Sequence, residues 1–261
     1  MAGGRTRATL TPSCLTATKE RTMKPTIILV HGAYADSSSW NDVVEMLTAD
    51  GHPVIAYANP LRTLAGDAAG ATDLVRSVQG PVVLAAHSYG GAVISNVDAA
   101  AGDVVALVYI AGFALNPGES CADASSLVPG GTLAETLAPV PLAGGGADTY
   151  IAQHRFHAQF ASDLPASRAA LMAATQRPIT EAALTEASGD DPLWRHVPSW
   201  FLFGDQDRNI PVGAHRIMAE RAGAKQTVEI AGGSHAIGVS HPRETGELIL
   251  EAARAGALVD A

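Results

Sequence analysis

Three residue types spread along the chain, a serine, an aspartate and a histidine, have the chemistry for acyl transfer. Ser88 stands in Ala86-His87-Ser88-Tyr89-Gly90-Gly91, directly after the apolar run Val82-Val83-Leu84-Ala85. A strand that stops at serine, then two glycines, then a helix-compatible segment describes a tight strand–turn–helix with a hydroxyl at its apex. Small residues flank such a serine because the strand and helix backbones nearly touch; Ala86, where glycine is usual, adds one methyl group. A serine in this place also reads as a simple helix cap, so its partners decide the matter. The hydroxyl is a weak nucleophile at neutral pH and needs a base within hydrogen-bond reach. His235, in Gly232-Gly233-Ser234-His235, would take the Ser88 proton and return it to a leaving alkoxide. A carboxylate must then hold the imidazole in one tautomer. Asp205 and Asp207, in Gly204-Asp205-Gln206-Asp207, are the candidates. The N–H of Tyr89, at the start of the helix, is by position one donor to an oxyanion.

These residues need a scaffold that brings them together, and the hydropathy pattern describes one. The segment Thr26–Val30 is a buried strand ending at His31-Gly32-Ala33. After the loop 34–38, Trp40, Val43, Val44 and Leu47 fall on one helical face, with a serine among Ser37, Ser38 and Ser39 as cap and Gly51 as stop. Strands follow at 53–57, 81–86 and Val104–Ile110, with a helix over 65–78. The rhythm breaks between residues 113 and 196, where prolines and glycines (Pro129, Pro139, Pro141, Gly144-Gly145-Gly146) interrupt helical patches at 150–161 and 167–174. It resumes with a strand at 199–203, a helix at 212–222, the strand Gln226–Ile230 and a last helix. Apolar strands alternating with helices predict an α/β architecture with a mostly parallel sheet of about six strands, covered on both faces. Residues 23–112 and 197–261 then form the core, and 113–196 an inserted helical cap. In such a sheet, functional groups gather past the carboxyl ends of the strands, which is where all the candidates lie.

Composition bounds the function. The chain has 261 residues, enough for one large α/β domain, and 47% of them are apolar. A formal net charge of −9 argues against nucleic acid as a partner, and no apolar run is long enough to span a membrane. Residues 1–22 carry Arg5, Arg7, Lys19 and Arg21 against only Glu20 and have no apolar segment; they read as a disordered tail or an upstream start preceding Met23. Cys14 and Cys121 have no metal-like spacing, which predicts no structural disulfide and a cytoplasmic protein. His154 and His157 stand three apart in a helical patch but lack further ligands, so no metal or cofactor is expected.

From about Lys24 onward the chain resembles the α/β-hydrolase fold family, and within it the small capped serine esterases related to plant methyl-ester esterases and hydroxynitrile lyases. The matching segments are 31–40 (His-Gly-Ala-Tyr-Ala-Asp-Ser-Ser-Ser-Trp), 86–91, 204–211 (Gly-Asp-Gln-Asp-Arg-Asn-Ile-Pro) and Gly233-Ser234-His235. The order Ser, Asp, His is the one expected of that family. The resemblance implies Asp207 as the acid, from the family pattern Gly-x-x-Asp-x-x-x-Pro, and the N–H of Ala33 as the second oxyanion donor. His31 is read as a brace of its loop and His87 as a packing residue beside the Ser88 turn. Tyr34, Phe156, Phe160 and Trp194 are candidates for a substrate pocket. Hydroxynitrile lyases of this branch have a threonine at the position of Gly32 and a lysine directly after the catalytic histidine, where this chain has Ala236. The expectation is therefore a serine hydrolase acting on a small-molecule carboxylic ester or lactone, as a monomer or homodimer. A non-turnover small-molecule receptor is the reading from another class; hydroxynitrile lyase, carbon–carbon hydrolase and perhydrolase activities use the same triad.

Overall fold

The computed structural model describes residues 23–256, so the expectation for residues 1–22, and Cys14 with it, lies outside the described residues. In chain order the elements are β1 (Thr26–Val30), α1 (Asn41–Ala49), β2 (Val54–Tyr57), α2 (Leu64–Ser77), β3 (Val82–His87), α3 (Tyr89–Ser95) and β4 (Val104–Ile110). Then come α4 (Cys121–Ser125), β5 (Leu137–Pro141), β6 (Ala147–Ile151), α5 (Gln153–Phe160), α6 (Ala166–Thr175), β7 (Ile179–Thr180) and α7 (Glu181–Thr185). The chain closes with β8 (Ser199–Gly204), α8 (Val212–Arg221), β9 (Gln226–Ile230), α9 (Ile237–Ser240) and α10 (Pro242–Gly256).

Six strands form one sheet in the order β2-β1-β3-β4-β8-β9, and every neighbouring pair is parallel. The chain runs outward from β1 to the edge strand β2, then returns past β1 to β3 and continues the other way. Right-handed crossovers in opposite directions put their helices on opposite faces, so α1, with α10 beside it, covers one face and α2 with α3 the other. The reversal also opens a crevice at the carboxyl ends of β1 and β3, where the loops turn apart. β3 is buried at every position, as a central parallel strand between helical layers must be.

Two local expectations change. No serine caps α1; the capping side chain is Asp36, whose carboxylate accepts the N–H of Ser38 at 2.8 Å and opens a short 3-10 turn at Ser37–Trp40 that leads into α1. The larger difference is in residues 113–196. Besides helices, this insertion holds a three-stranded antiparallel sheet, β5-β6-β7. β5 contains both Pro139 and Pro141, which an edge strand tolerates because its outer N–H groups need no partner. Tyr150, read as helical, belongs to β6.

Candidate active site

The peptide after β3 makes the turn that the sequence implied. Ser88 has φ 53° and ψ −124°, outside the ordinary regions for a residue with a side chain, a strain of about 1–3 kcal/mol that surrounding contacts must hold. Those contacts are main-chain. The Ser88 N–H donates to Ile110 and its carbonyl accepts from Gly91 and Phe113, at 2.9–3.2 Å. A Cβ on Gly90 would lie 2.5 Å from the Val30 carbonyl, and one on Gly32 would lie 2.7 Å from both the Ser88 Cβ and the His87 carbonyl. Only glycine lets the β1 loop approach the turn this closely. Ala86 sits earlier, fully buried in β3 between Val30 and Tyr109, where a methyl group fits.

Ser88 makes no capping bond to its helix. Its hydroxyl lies 2.9 Å from His235 Nε2, and His235 Nδ1 lies 2.7 Å from Asp207 Oδ2. His235 stands on the loop between β9 and α9, and Asp207 on the loop between β8 and α8. The other carboxylate oxygen, Oδ1, accepts the N–H groups of Asn209 at 2.8 Å and Ile210 at 2.9 Å. Burial by itself would raise the Asp207 carboxyl; the charge of His235 and the hydrogen bonds from His215 and His235 outweigh it and hold the group well below the usual carboxylate range. Asp205 is turned away, its side chain accepting the N–H of Gly232 at 2.8 Å.

One participant escaped the sequence reading. His215, on α8, lies 3.0 Å through Nε2 from the same Asp207 Oδ2, with its ring stacked 4.8 Å from Phe203 at an interplanar angle of 10°. The signal was faint but present. The loop after Asp207 enters α8 at Pro211, and helical side chains lean toward their N-terminus, so a residue one turn in reaches back to the aspartate.

Above Ser88 lies a cavity of about 600 Å³ bounded below by Ala33, Tyr34, Ser88 and Tyr89 and above by insertion residues such as Leu133, Leu137 and Leu184. The N–H groups of Ala33 and Tyr89 face no protein acceptor among the described residues, whereas the Tyr34 N–H is taken by the Arg177 carbonyl at 3.0 Å.

A family model described as "Alpha/beta hydrolase family" matches residues 27–248. The chain belongs to the alpha/beta hydrolase family. Solved structures agree on the fold. The chain is similar to polyneuridine aldehyde esterase, with TM-score 0.73 and 18% identity over 88% of this chain and 99% of that one. It is similar to a methylesterase from Arabidopsis, with TM-score 0.71 and 15% identity over 88% and 99% of the respective chains. It also resembles a pyrethroid hydrolase from Sphingobium faniae, with TM-score 0.70 and 19% identity over 90% and 99%. A search of curated protein sequences finds no match.

The remaining candidates of this alpha/beta hydrolase divide. Tyr34 lines the cavity, its hydroxyl 3.2 Å from Thr149 Oγ1. Phe156, Phe160 and Trp194 do not. Phe160 packs edge-on against His235 at 5.0 Å and so supports the histidine, with Phe156 stacked on Phe160 at 4.9 Å. Trp194 donates its indole N–H to the Leu115 carbonyl at 2.9 Å. His31 is a brace: Nδ1 donates to the Gly32 carbonyl at 2.9 Å and Nε2 accepts the Asn59 N–H at 3.1 Å. His87 donates to the carbonyl of His235 at 2.9 Å; burial, then the neighbouring His235, lowers it to about 3. His157 spends its Nε2 on the Leu164 carbonyl, and no group of three or more potential metal ligands occurs among the described residues. Cys121 lines the cavity as a buried free thiol, pushed up by burial and then by Glu119, so it is no rival nucleophile. No helix of the described residues is long and apolar enough to cross a membrane.

Proposed function

We propose that the protein is a serine esterase that cleaves a small, neutral carboxylic ester or lactone through an acyl-enzyme. The reading rests on one observation above the rest: a continuous hydrogen-bond chain, Ser88–His235–Asp207, opening on a mostly apolar cavity. Ser88 Oγ attacks the ester carbonyl carbon as its proton passes to His235 Nε2. Asp207, held by two backbone N–H groups, stabilises the imidazolium that forms. The oxyanion is received by the N–H groups of Ala33 and Tyr89, each such donor being worth about 10²- to 10³-fold in rate. Collapse breaks the bond to the alkoxide, which takes the proton from His235, and water reverses the sequence to free the acid and Ser88.

The cavity favours a neutral substrate, since Glu181, which is exposed, is the only Asp or Glu among the described residues lining it. No Lys or Arg lines it among the described residues, and Ala236, after His235, is buried, which leaves a cyanide leaving group without a cation. The words esterase, methylesterase and hydrolase in the names of the similar proteins point the same way.

Turnover of p-nitrophenyl acetate by purified Ser88→Ala tests the reading. Activity should fall by about 10⁴-fold or more with the fold preserved, as measured by circular dichroism. Near-wild-type turnover in that variant would refute the mechanism. Ligand binding without multiple turnover in the wild type would indicate a receptor instead.

A further inference from the structure

We infer that His215 is a positioning residue for the Ser88–His235–Asp207 chain, fixing the Asp207 carboxylate through a second imidazole hydrogen bond and moderating its pull on His235. This inference rests on the serine-hydrolase reading above.

An ionised carboxylate has about four lone-pair sites, and in Asp207 all four are used. Two go to backbone N–H groups on Oδ1, and two to imidazoles on Oδ2: His235 at 2.7 Å and His215 at 3.0 Å. Apart from His235 itself, His215 is the only side chain among the described residues that holds the carboxylate. Because the carboxylate only accepts, His215 must donate through Nε2–H. Its Nδ1 is buried without a partner among the described residues, which is unfavourable for a polar atom. Packing does not require that nitrogen, since a phenyl ring would stack on Phe203 as well; the hydrogen bond to Asp207 does require the other one. The ring is fully buried and stacked flat on Phe203, so its donor is held in one direction.

The effect on His235 follows from electrostatics. A carboxylate that accepts four hydrogen bonds has its charge partly neutralised and holds a neighbouring imidazolium less tightly than one accepting three. The other polar groups around His235 act elsewhere. His87 binds its carbonyl, and His31 lies beyond His87 on the β1 loop. Asp163 reaches from the insertion to the N–H and hydroxyl of Ser234, with His241 near it at 3.8 Å. None of these touches Asp207.

The test compares His215→Phe with His215→Gln. Phenylalanine keeps the stack and loses the donor; glutamine places an amide N–H where Nε2 lies. In the Phe variant kcat on p-nitrophenyl acetate should fall about 10- to 100-fold with KM within twofold. The acidic limb of its kcat/KM profile should move to higher pH, because the less neutralised carboxylate keeps the imidazole protonated longer. The Gln variant should recover most of the rate and the wild-type limb. If the Phe variant does not fold, His215→Asn replaces it, with an amide too short to reach Oδ2 and the same expected loss. Wild-type kcat and an unmoved limb in the donor-less variant would overturn the inference. So would equal losses in Phe and Gln variants with no pH shift. Both of those outcomes leave the Ser88→Ala result, and hence the hydrolase reading, intact.

Discussion

The floor and the roof of the cavity are built differently. On the floor, Ser88, Asp207 and His235 stand on loops leaving three parallel strands of one sheet; backbone hydrogen bonds and glycine-tight contacts hold Ser88, two backbone N–H groups hold Asp207, and His87 and Phe160 hold His235. The roof consists of short helices and a three-stranded sheet, joined to the core by isolated backbone bonds, such as Thr132 to Arg208 and Thr180 to Leu61, and by side chains. Gln159 donates to Asn209 and Arg208, Arg62 pairs with Asp148 at 2.6 Å, and Asp163 holds Ser234. An exposed pair such as Arg62–Asp148 contributes only about 0–1 kcal/mol. Strand ends suit chemistry that tolerates no displacement; walls carried on an insertion suit a surface that selects substrate by size and shape. The floor should therefore govern kcat for every ester, and the roof the choice among esters.

The largest effect separates two floor residues. Asp207→Asn should lower kcat about 10³- to 10⁴-fold, because the amide presents a donor where His235 needs an acceptor. Asp205→Asn, which alters only a bond to Gly232, should stay within about threefold of wild type on the same scale of truncation effects. The reverse order in steady-state kinetics would move the acid to Asp205. A smaller effect probes the roof. Leu137→Ala and Leu184→Ala should change the kcat/KM ratio between long- and short-chain acyl esters by about 10-fold, the usual value of one or two methylene contacts. Turnover of p-nitrophenyl acetate should be unchanged. An equal loss on all esters would erase the distinction between floor and roof. The smallest effect is on stability. His87 titrates near 6.5 in an unfolded chain and about 3 in the native one, lowered by burial first and then by His235. Below pH 6.5 the unfolded chain binds a proton that the native protein refuses, so stability falls as pH drops from about 6.5 toward 3. In His87→Gln the melting temperature should depend less steeply on pH over that window; an identical slope would show that His87 does not contribute.

Much of the floor was legible beforehand. β1, β4 and β9 match the expected spans, and β2, β3 and β8 differ only at their ends, because an apolar run between turn residues is a local signal. The roof was harder. The hairpin of β5 and β6 around Gly144-Gly145-Gly146 looked like punctuation, since prolines in β5 disguise an edge strand. Its trace was the alternation in Ala147–Ile151 beyond the glycines, where Thr149 and Ile151 are buried. Phe156, Phe160 and Trp194 were legible as apolar but not as facing the cavity. Helical spacing shows that a residue has a buried side, while which neighbour covers it depends on how the insertion docks.

The same division runs through the site itself. Residue types and their order along the chain pointed to Ser88 as the proposed nucleophile and His235 as the proposed base, since a serine on a strand–glycine–helix turn and a histidine past a later strand are local signals. Asp207 needed a family pattern, and the structure brings its carboxylate to His235 while turning Asp205 away. Only the tertiary structure decided that two imidazoles share one carboxylate oxygen and that Phe160 backs the histidine rather than facing the cavity. The physical reason is reach. Sequence periodicity reports the face of one element, but a hydrogen bond of 3 Å between α8 and the β8 loop, opposite a histidine from the β9 loop, exists only once the sheet has brought those loops to one edge.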